Sequence, residues 1–371
     1  MKKNIIAFAV AAALVAPAAA MADTTLYGKF HVSYDFVGSD HAAGTTGGFS
    51  SNSSRIGIKG KEKINDGLSI IYQYETGIDA GQNASTGASN GGLGGQRNTF
   101  IGATGGFGTV ITGRHDTPMK MMGRKYDLFG DTVADSRNII GTTGFDLRPA
   151  QVIAYATPDL GGFKAMVAYI NSWALNDGYY ANPPTAKTAP YYNNSNAVSL
   201  NASYSIAGFG LDAAYETRRH GGANTATSSR STDAYRLGAN YKIAGFKLMG
   251  LYMDAKNVGF TSGKDVKSYG VGAAYGFGAN TIKAQYFKAD SFNNAANTGG
   301  DLWAVGYDYK LSKQTSVYAV YAQAKSQSAT SAYTLMGGGH DYSFPQTLDA
   351  NGNAIKGQTN SAISFGIAHK F

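Results

Sequence analysis

From Leu26 onward the chain alternates apolar and polar side chains with a period of two. In Leu26–Phe36, Leu26, Phe30, Val32, Tyr34 and Phe36 fall on one face, and Tyr27, Lys29, His31, Ser33 and Asp35 on the other. Successive side chains of a strand point to opposite sides of a sheet, so this spacing predicts strands. The pattern returns at 196–206, where Val198, Leu200, Ala202 and Tyr204 oppose Ser199, Asn201, Ser203 and Ser205, and again at 233–243 and 361–371. Segments 246–256 and 314–325 are apolar on both faces. Sixteen strands are predicted, at 24–36, 54–63, 68–78, 97–104, 107–114, 148–157, 162–171, 196–206, 209–219, 233–243, 246–256, 267–277, 280–290, 301–311, 314–325 and 360–371.

The connections between these strands alternate in length. Short ones at 65–67, 105–106, 158–161, 207–208, 244–245, 278–279 and 312–313 carry Gly, Asn, Asp or Ser, the residues of tight hairpins. Long polar ones, rich in Gly, Asn, Ser and Thr, lie between them. A soluble sandwich has no reason to sort its connections this way, whereas a membrane barrel has short turns on one side and long loops on the other. Its apolar faces meet lipid, its polar faces line the lumen, and closure leaves no unpaired edge. Tyr34, Phe36, Phe163, Tyr241 and Phe277, near strand ends, suit an interfacial aromatic girdle. Sixteen strands also enclose enough space for an aqueous channel. The expected fold is all-β: a 16-stranded antiparallel transmembrane β-barrel.

Residues 1–22 read as a signal peptide, leaving 23–371 as the barrel. Lys2 and Lys3 precede an apolar core from Ile5 to Val15, and Ala20-Met21-Ala22 is a small-residue cleavage pattern. Losing those two lysines lowers the net charge from +8 to +6. Without a basic block, that charge gives no case for nucleic-acid binding. Cysteine is absent, which excludes disulfides, thiolate nucleophiles and iron–sulfur ligation. The histidines are scattered without H-E-x-x-H spacing, and neither a G-x-S-x-G elbow nor a Walker loop occurs. Gly270–Gly276 superficially resembles a dinucleotide loop, but its spacing is wrong and it falls inside a strand. No metal, cofactor or catalysis is expected.

The connection His115–Leu147 is far longer than the ~12–15 residues beyond which loops are usually functional. It carries Asp127, Asp131 and Asp135 at four-residue spacing, which a short helix would set on one face. Met119, Met121, Met122, Leu128 and Phe129 call for something to pack on. The expectation is that this third external loop folds inward against the barrel wall, with its carboxylates toward the lumen. Basic residues on the polar faces stand ready to oppose them: Lys29, Arg55, Lys59, Arg97 and Arg148, the last opening the sixth strand. Opposed charges across a constriction are how pores sort ions.

Leu26-Tyr27-Gly28-Lys29, Arg55-Ile56-Gly57-Ile58-Lys59-Gly60, Phe107-Gly108 with Gly113-Arg114, and terminal Phe371 together carry a resemblance. Across residues 23–371 the chain resembles the trimeric general diffusion porins of Gram-negative outer membranes. The resemblance implies a homotrimer in outer-membrane lipid and lipopolysaccharide, with passive diffusion of ions and small hydrophilic solutes. It implies an eyelet of Lys29, Arg55, Arg97 and Arg148 facing acids of the third loop, and a C-terminal Phe371 read by the barrel-assembly machinery. The Pro-Glu-Phe-Gly-Gly of enteric members is absent from that loop, where Asp127-Leu128-Phe129-Gly130-Asp131 stands instead. A barrel enzyme would need a partner for inward His31. A substrate-selective channel or adhesin on the same barrel is the nearer alternative. A sugar-selective slide would need lumenal aromatics, but Trp173 falls in a loop and Trp303 on the lipid face.

Overall fold

The computed structural model describes residues 23–40, 45–78, 93–171, 195–219, 231–328, 333–335 and 359–371. The signal-peptide reading therefore lies outside the described residues, as do Trp173 and most of several long connections. The strands before the long connection are β1 (Thr25–Ser39), β2 (Thr45–Ser51), β3 (Arg55–Asn65), β4 (Leu68–Ile78), β5 (Leu93–Gln96), β6 (Thr99–Gly105) and β7 (Gly108–Arg114). Two short helices follow, α1 (Pro118–Lys125) and α2 (Arg137–Ile140). The chain then continues through β8 (Val152–Ala156), β9 (Phe163–Ile170), β10 (Ala197–Ile206), β11 (Phe209–Arg219), β12 (Ser231–Ile243) and β13 (Phe246–Lys256). It ends with β14 (Val266–Phe277), β15 (Asn280–Ala289), β16 (Gly300–Lys310), β17 (Thr315–Ser326) and β18 (Thr359–Lys370).

Every paired strand is antiparallel, and β18 returns to pair with β1 from Lys29↔Lys370 to Ser39↔Asn360. The ring is closed. It holds eighteen strand segments but sixteen staves, because β2 and β3 both pair with β1 and β5 and β6 both pair with β4. The predicted strand at 54–63 is thus the second half of a longer stave broken at Asn52–Ser54. The one at 97–104 starts at Thr99, after a break at Arg97-Asn98. The sixth predicted strand, 148–157, is shorter than expected and begins at Val152. Pro149 cannot donate a ladder hydrogen bond, and Gln151 has a φ of 57°, so the stave cannot start earlier.

The faces sort as the alternation predicts. On β11, Phe209, Leu211, Ala213 and Tyr215 are exposed, while Gly210, Asp212, Ala214 and Glu216 are buried. Leu211 is 52% exposed and Glu216 0%, the reverse of a soluble protein. The exposed apolar wall fits hydrocarbon, and closure pairs the backbone groups that hydrocarbon cannot satisfy. No helix of the described residues is long and apolar enough to cross a membrane. Trp303 stands on the exposed face as expected, its indole N–H donating to Gln323 at 3.1 Å.

The short connections close as tight hairpins. In Ala207-Gly208 and Ala244-Gly245 both residues have positive φ (47° and 84°; 46° and 85°), the twist that flanking antiparallel strands need. The glycines of Gly270–Gly276 make room inside the wall rather than bind a nucleotide. A Cβ on Gly270 would lie 2.1 Å from the Phe287 ring, and one on Gly272 3.0 Å from Leu128.

Candidate functional site

Lys29 on β1 and Arg55 on β3 face each other in register, so both project from the polar face. Arg97 emerges at the break before β6. Glu75 on β4, opposite Gly57, stands between the two arginines. Arg97 bonds one Glu75 oxygen through Nε, and Arg55 Nε lies 3.5 Å from the other. The Tyr27 hydroxyl donates to the same carboxylate at 3.0 Å. Arg55 also donates to the Ser53 carbonyl at 3.2 Å, so the break at Asn52–Ser54 supplies an acceptor that aims the guanidinium. Lys59 shares this face, its ammonium 5.1 Å from the centre of the Tyr27 ring.

The 115–147 connection brings its acids to the same region, though not on a helix. Thr117 caps α1, its hydroxyl accepting from Lys120 N–H at 3.3 Å, and Pro118 follows in the first turn. After Lys125 the chain turns repeatedly until α2, and Asp131 has a φ of 62°, which no α-helix accommodates. The one-face arrangement expected of the carboxylates is therefore replaced by three different settings. Asp131 reaches Lys29 at 3.5 Å and is also held by Arg124 at 3.3 Å and Arg137 at 3.0 Å. Asp135 is spent within the segment: it takes Arg137 at 2.6 Å and the Asp131 backbone N–H at 2.7 Å. Asp127 accepts from Phe129 N–H at 2.8 Å and from both Ser136 donors at 3.0 Å. Arg148 stays outside the strand and away from these acids, 2.9 Å from Asp116, which also takes Lys120 at 3.0 Å.

The segment is fastened along its length to the polar face of the staves. Met119 N–H donates to Ser199 Oγ on β10 at 3.1 Å. Lys125 and the Tyr126 hydroxyl both bond Asp212 on β11. Arg236 on β12, fully buried, donates to both Asp146 oxygens at 3.1 Å and to the Met119 carbonyl at 3.1 Å. Gln285 on β15 accepts from Leu128 N–H at 2.9 Å and donates to the Ala134 carbonyl at 2.8 Å. Met119, Met122, Phe129, Ile139, Ile140 and Phe145 are buried against Met253, Phe287, Leu302 and small wall residues such as Ala304 and Ala322. Met121 alone of the expected apolar set stays exposed. Wall glycines admit the rings: a Cβ on Gly238 would meet Tyr126 at 2.4 Å, and one on Gly306 would meet Phe129 at 2.6 Å.

The charge balance has a pH consequence. Burial alone would raise the Asp131 carboxyl, but Arg124, Lys29 and Arg137 hold it well below its ordinary value of 3.8. Lys120 and Arg148 do the same for partly buried Asp116. A depressed folded-state pKa stabilises the fold above the unfolded value, and that contribution is lost as pH falls below it. Amide exchange in this segment, corrected for intrinsic rates, should stay protected from pH 7 down to about pH 4 and rise below that. Early loss of protection, near pH 6, would contradict these ion pairs.

Several functional residues escape a reading of the sequence. Arg124, Arg137, Asp116, Asp146, Asp212 and Arg236 are paired by tertiary folding that no periodicity encodes. Glu75 is different. It stands opposite Gly57, which shares the face of Arg55 and Lys59. A bulge between Lys63 and Asn65 shifts the register by one, so a count from the hairpin would place it opposite Ile58 instead, and only the alternation of β4 with Ser69 and Gln73 points to its face.

A profile of the family described as "Gram-negative porin" matches residues 8–329. The "Major outer membrane protein P.IB" of Neisseria gonorrhoeae is 31% identical over 192 residues, 48% of this chain and 52% of that protein. The chain thus spans about half the length of that relative. The protein of the same name from Neisseria meningitidis serogroup A is 28% identical over 331 residues, covering 85% of this chain and 91% of that protein. Among solved structures, "Anion-selective porin from Comamonas acidovorans" superposes with a TM-score of 0.71 at 22% identity. It covers 95% of this chain and 100% of that one, a likeness of fold. With the closed sixteen-stave barrel and its apolar outer wall, the profile match establishes that this chain belongs to the Gram-negative porin family, whose barrels span the outer membrane.

Proposed function

We infer that the protein is a porin proper: a water-filled channel for passive diffusion of ions and small hydrophilic solutes, narrowed by the 115–147 segment held inside the barrel. One observation carries this reading. The segment touches β1 through Lys29, β10 through Ser199 and β15 through Gln285. Staves that far apart around a closed ring can be reached at once by one compact segment only from within. The segment therefore crosses the lumen, and Lys29, Arg55, Arg97 and Glu75 form the wall of what remains open. Asp131 faces that wall, with Arg124 and Arg137 beside it. Asp127 and Asp135 support the segment more than they face the opening, and Arg148 braces its C-terminal end.

Membership of the family supports the remaining roles. Residues 1–22 direct export, and the barrel assembles as a homotrimer in outer-membrane lipid and lipopolysaccharide. Phe371 is the residue read by the barrel-assembly machinery. Its ring lies 6.0 Å from that of Phe30, and its backbone N–H donates to the Gly28 carbonyl at 3.2 Å, so it also closes the first stave. The protein acts as a channel, without a catalytic step.

Purified protein in a planar bilayer should give a conductance proportional to that of the bulk salt. Saturation by one solute would favour a substrate-selective channel instead. A protein that conducts nothing would remove the channel reading and leave an adhesin.

A further inference from the structure

We propose that the barrel carries, on the short-turn side of the 115–147 segment, a binding site for small multivalent anions built from Lys242, Lys247, Lys283 and Lys125. The inference rests on the lumen being open to solutes, as argued above. Lys242 and Lys247 flank the turn at Ala244-Gly245 and stand directly opposite each other on β12 and β13. Like charges directly opposite each other on neighbouring strands repel. Both lie on the polar face: Lys242 follows Asn240, which donates to the Tyr126 hydroxyl at 3.2 Å, and Lys247 precedes buried Met249. Neither makes an ion pair among the described residues.

The neighbours add to the positive charge rather than cancel it. Lys247 continues in register through Ala274 to Lys283. Neighbouring strands are ~4.8 Å apart, so these ammonium groups are within reach of one ligand of two or three phosphate units. Lys283 is tethered by Asp308 at 2.8 Å and lies 4.6 Å from the centre of the Phe129 ring. Lys125 descends from α1 and is tethered by Asp212 at 2.7 Å. Both carboxylates are therefore engaged. The other acid whose charge acts on Lys247 is Asp127, and its oxygens accept from Phe129 and Ser136. Two uncompensated lysines thus face each other between two whose counter-ions are fixed. A chloride ion would answer one of them. An anion with several charges answers the opposed pair at once and relieves its repulsion. Confinement by low-dielectric walls strengthens that attraction relative to an open surface. Lysine suits this ligand as a compact, rotatable phosphate partner.

The test uses the full protein in a planar bilayer at low salt, with pyrophosphate added to each side in turn. Chloride current should fall with pyrophosphate concentration, with half-block at a lower concentration from the short-turn side. The double variant Lys242→Gln, Lys247→Gln should need at least tenfold more pyrophosphate for the same block. Equal half-block concentrations in the two proteins, or equal block from both sides, would overturn the site and leave the channel reading intact. A protein that carries no current would instead remove the channel reading. Calorimetric titration of the detergent-solubilised protein with pyrophosphate then decides the site by itself. Heat present in the parent and lost in the double variant supports it, and the absence of that difference overturns it.

Discussion

Glu75→Gln should shift the reversal potential across a salt gradient toward anions, and by more than loss of Asp127 or Asp135. Glu75 is the carboxylate between Arg55 and Arg97, so its neutralisation leaves two guanidinium charges uncompensated at one point of the wall. Water there is confined by low-dielectric walls, and a fixed charge acts over a longer range than on an open surface. A change of about 1 kcal/mol in relative barrier corresponds to roughly fivefold in the permeability ratio. Arg55→Gln and Arg97→Gln should move selectivity the other way. All three shifts should shrink at 1 M salt, where the Debye length is about 3 Å. Arg230→Ser, at a position outside the described residues, serves as the control. If the Glu75, Arg55 and Arg97 variants match that control, the opening lies elsewhere.

The second large effect is mechanical. Arg236→Met should free the 115–147 segment without dissolving the barrel. The guanidinium is wholly enclosed, binds both Asp146 oxygens and also takes the Met119 carbonyl. Removing one member of a buried pair strands the other charge, at about 3–5 kcal/mol. That exceeds what any single apolar contact of the segment restores, while the stave ladders are untouched. Protease should then cut within 115–147 in folded protein, and single-channel current should become noisier. A variant as resistant and as quiet as the parent would show that the apolar contacts alone hold the segment.

The staves were legible in the sequence because a two-residue period leaves its mark on every turn-to-turn segment. Lys29 and Arg55 were legible for the same reason, since their faces follow from their neighbours. The breaks at Asn52–Ser54 and Arg97-Asn98 were not, because a locally interrupted ladder keeps the same polar composition on either side. The setting of the carboxylates was illegible for a different reason. Four-residue spacing suggests a helical face, but the positive φ of Asp131 and the Arg137 bonds to Asp131 and Asp135 are decided by the surroundings. Arg236 and Asp146 are far apart in the chain, and only the docking of the segment makes them partners.

The inner circumference is divided unequally. The 115–147 segment packs its apolar side chains against β13, β15, β16 and β17, whereas Lys29, Arg55 and Glu75 on β1, β3 and β4 present charged groups on the same face. In the proposed channel the narrowest opening therefore lies off the barrel axis, toward β1, β3 and β4. The same division sorts heritable variation. Substitutions beneath the packed segment should then be felt as yield and folding, whereas substitutions at Lys29, Arg55 and Glu75 should alter what passes. Permeation can thus be retuned by drift at a handful of positions without endangering the scaffold.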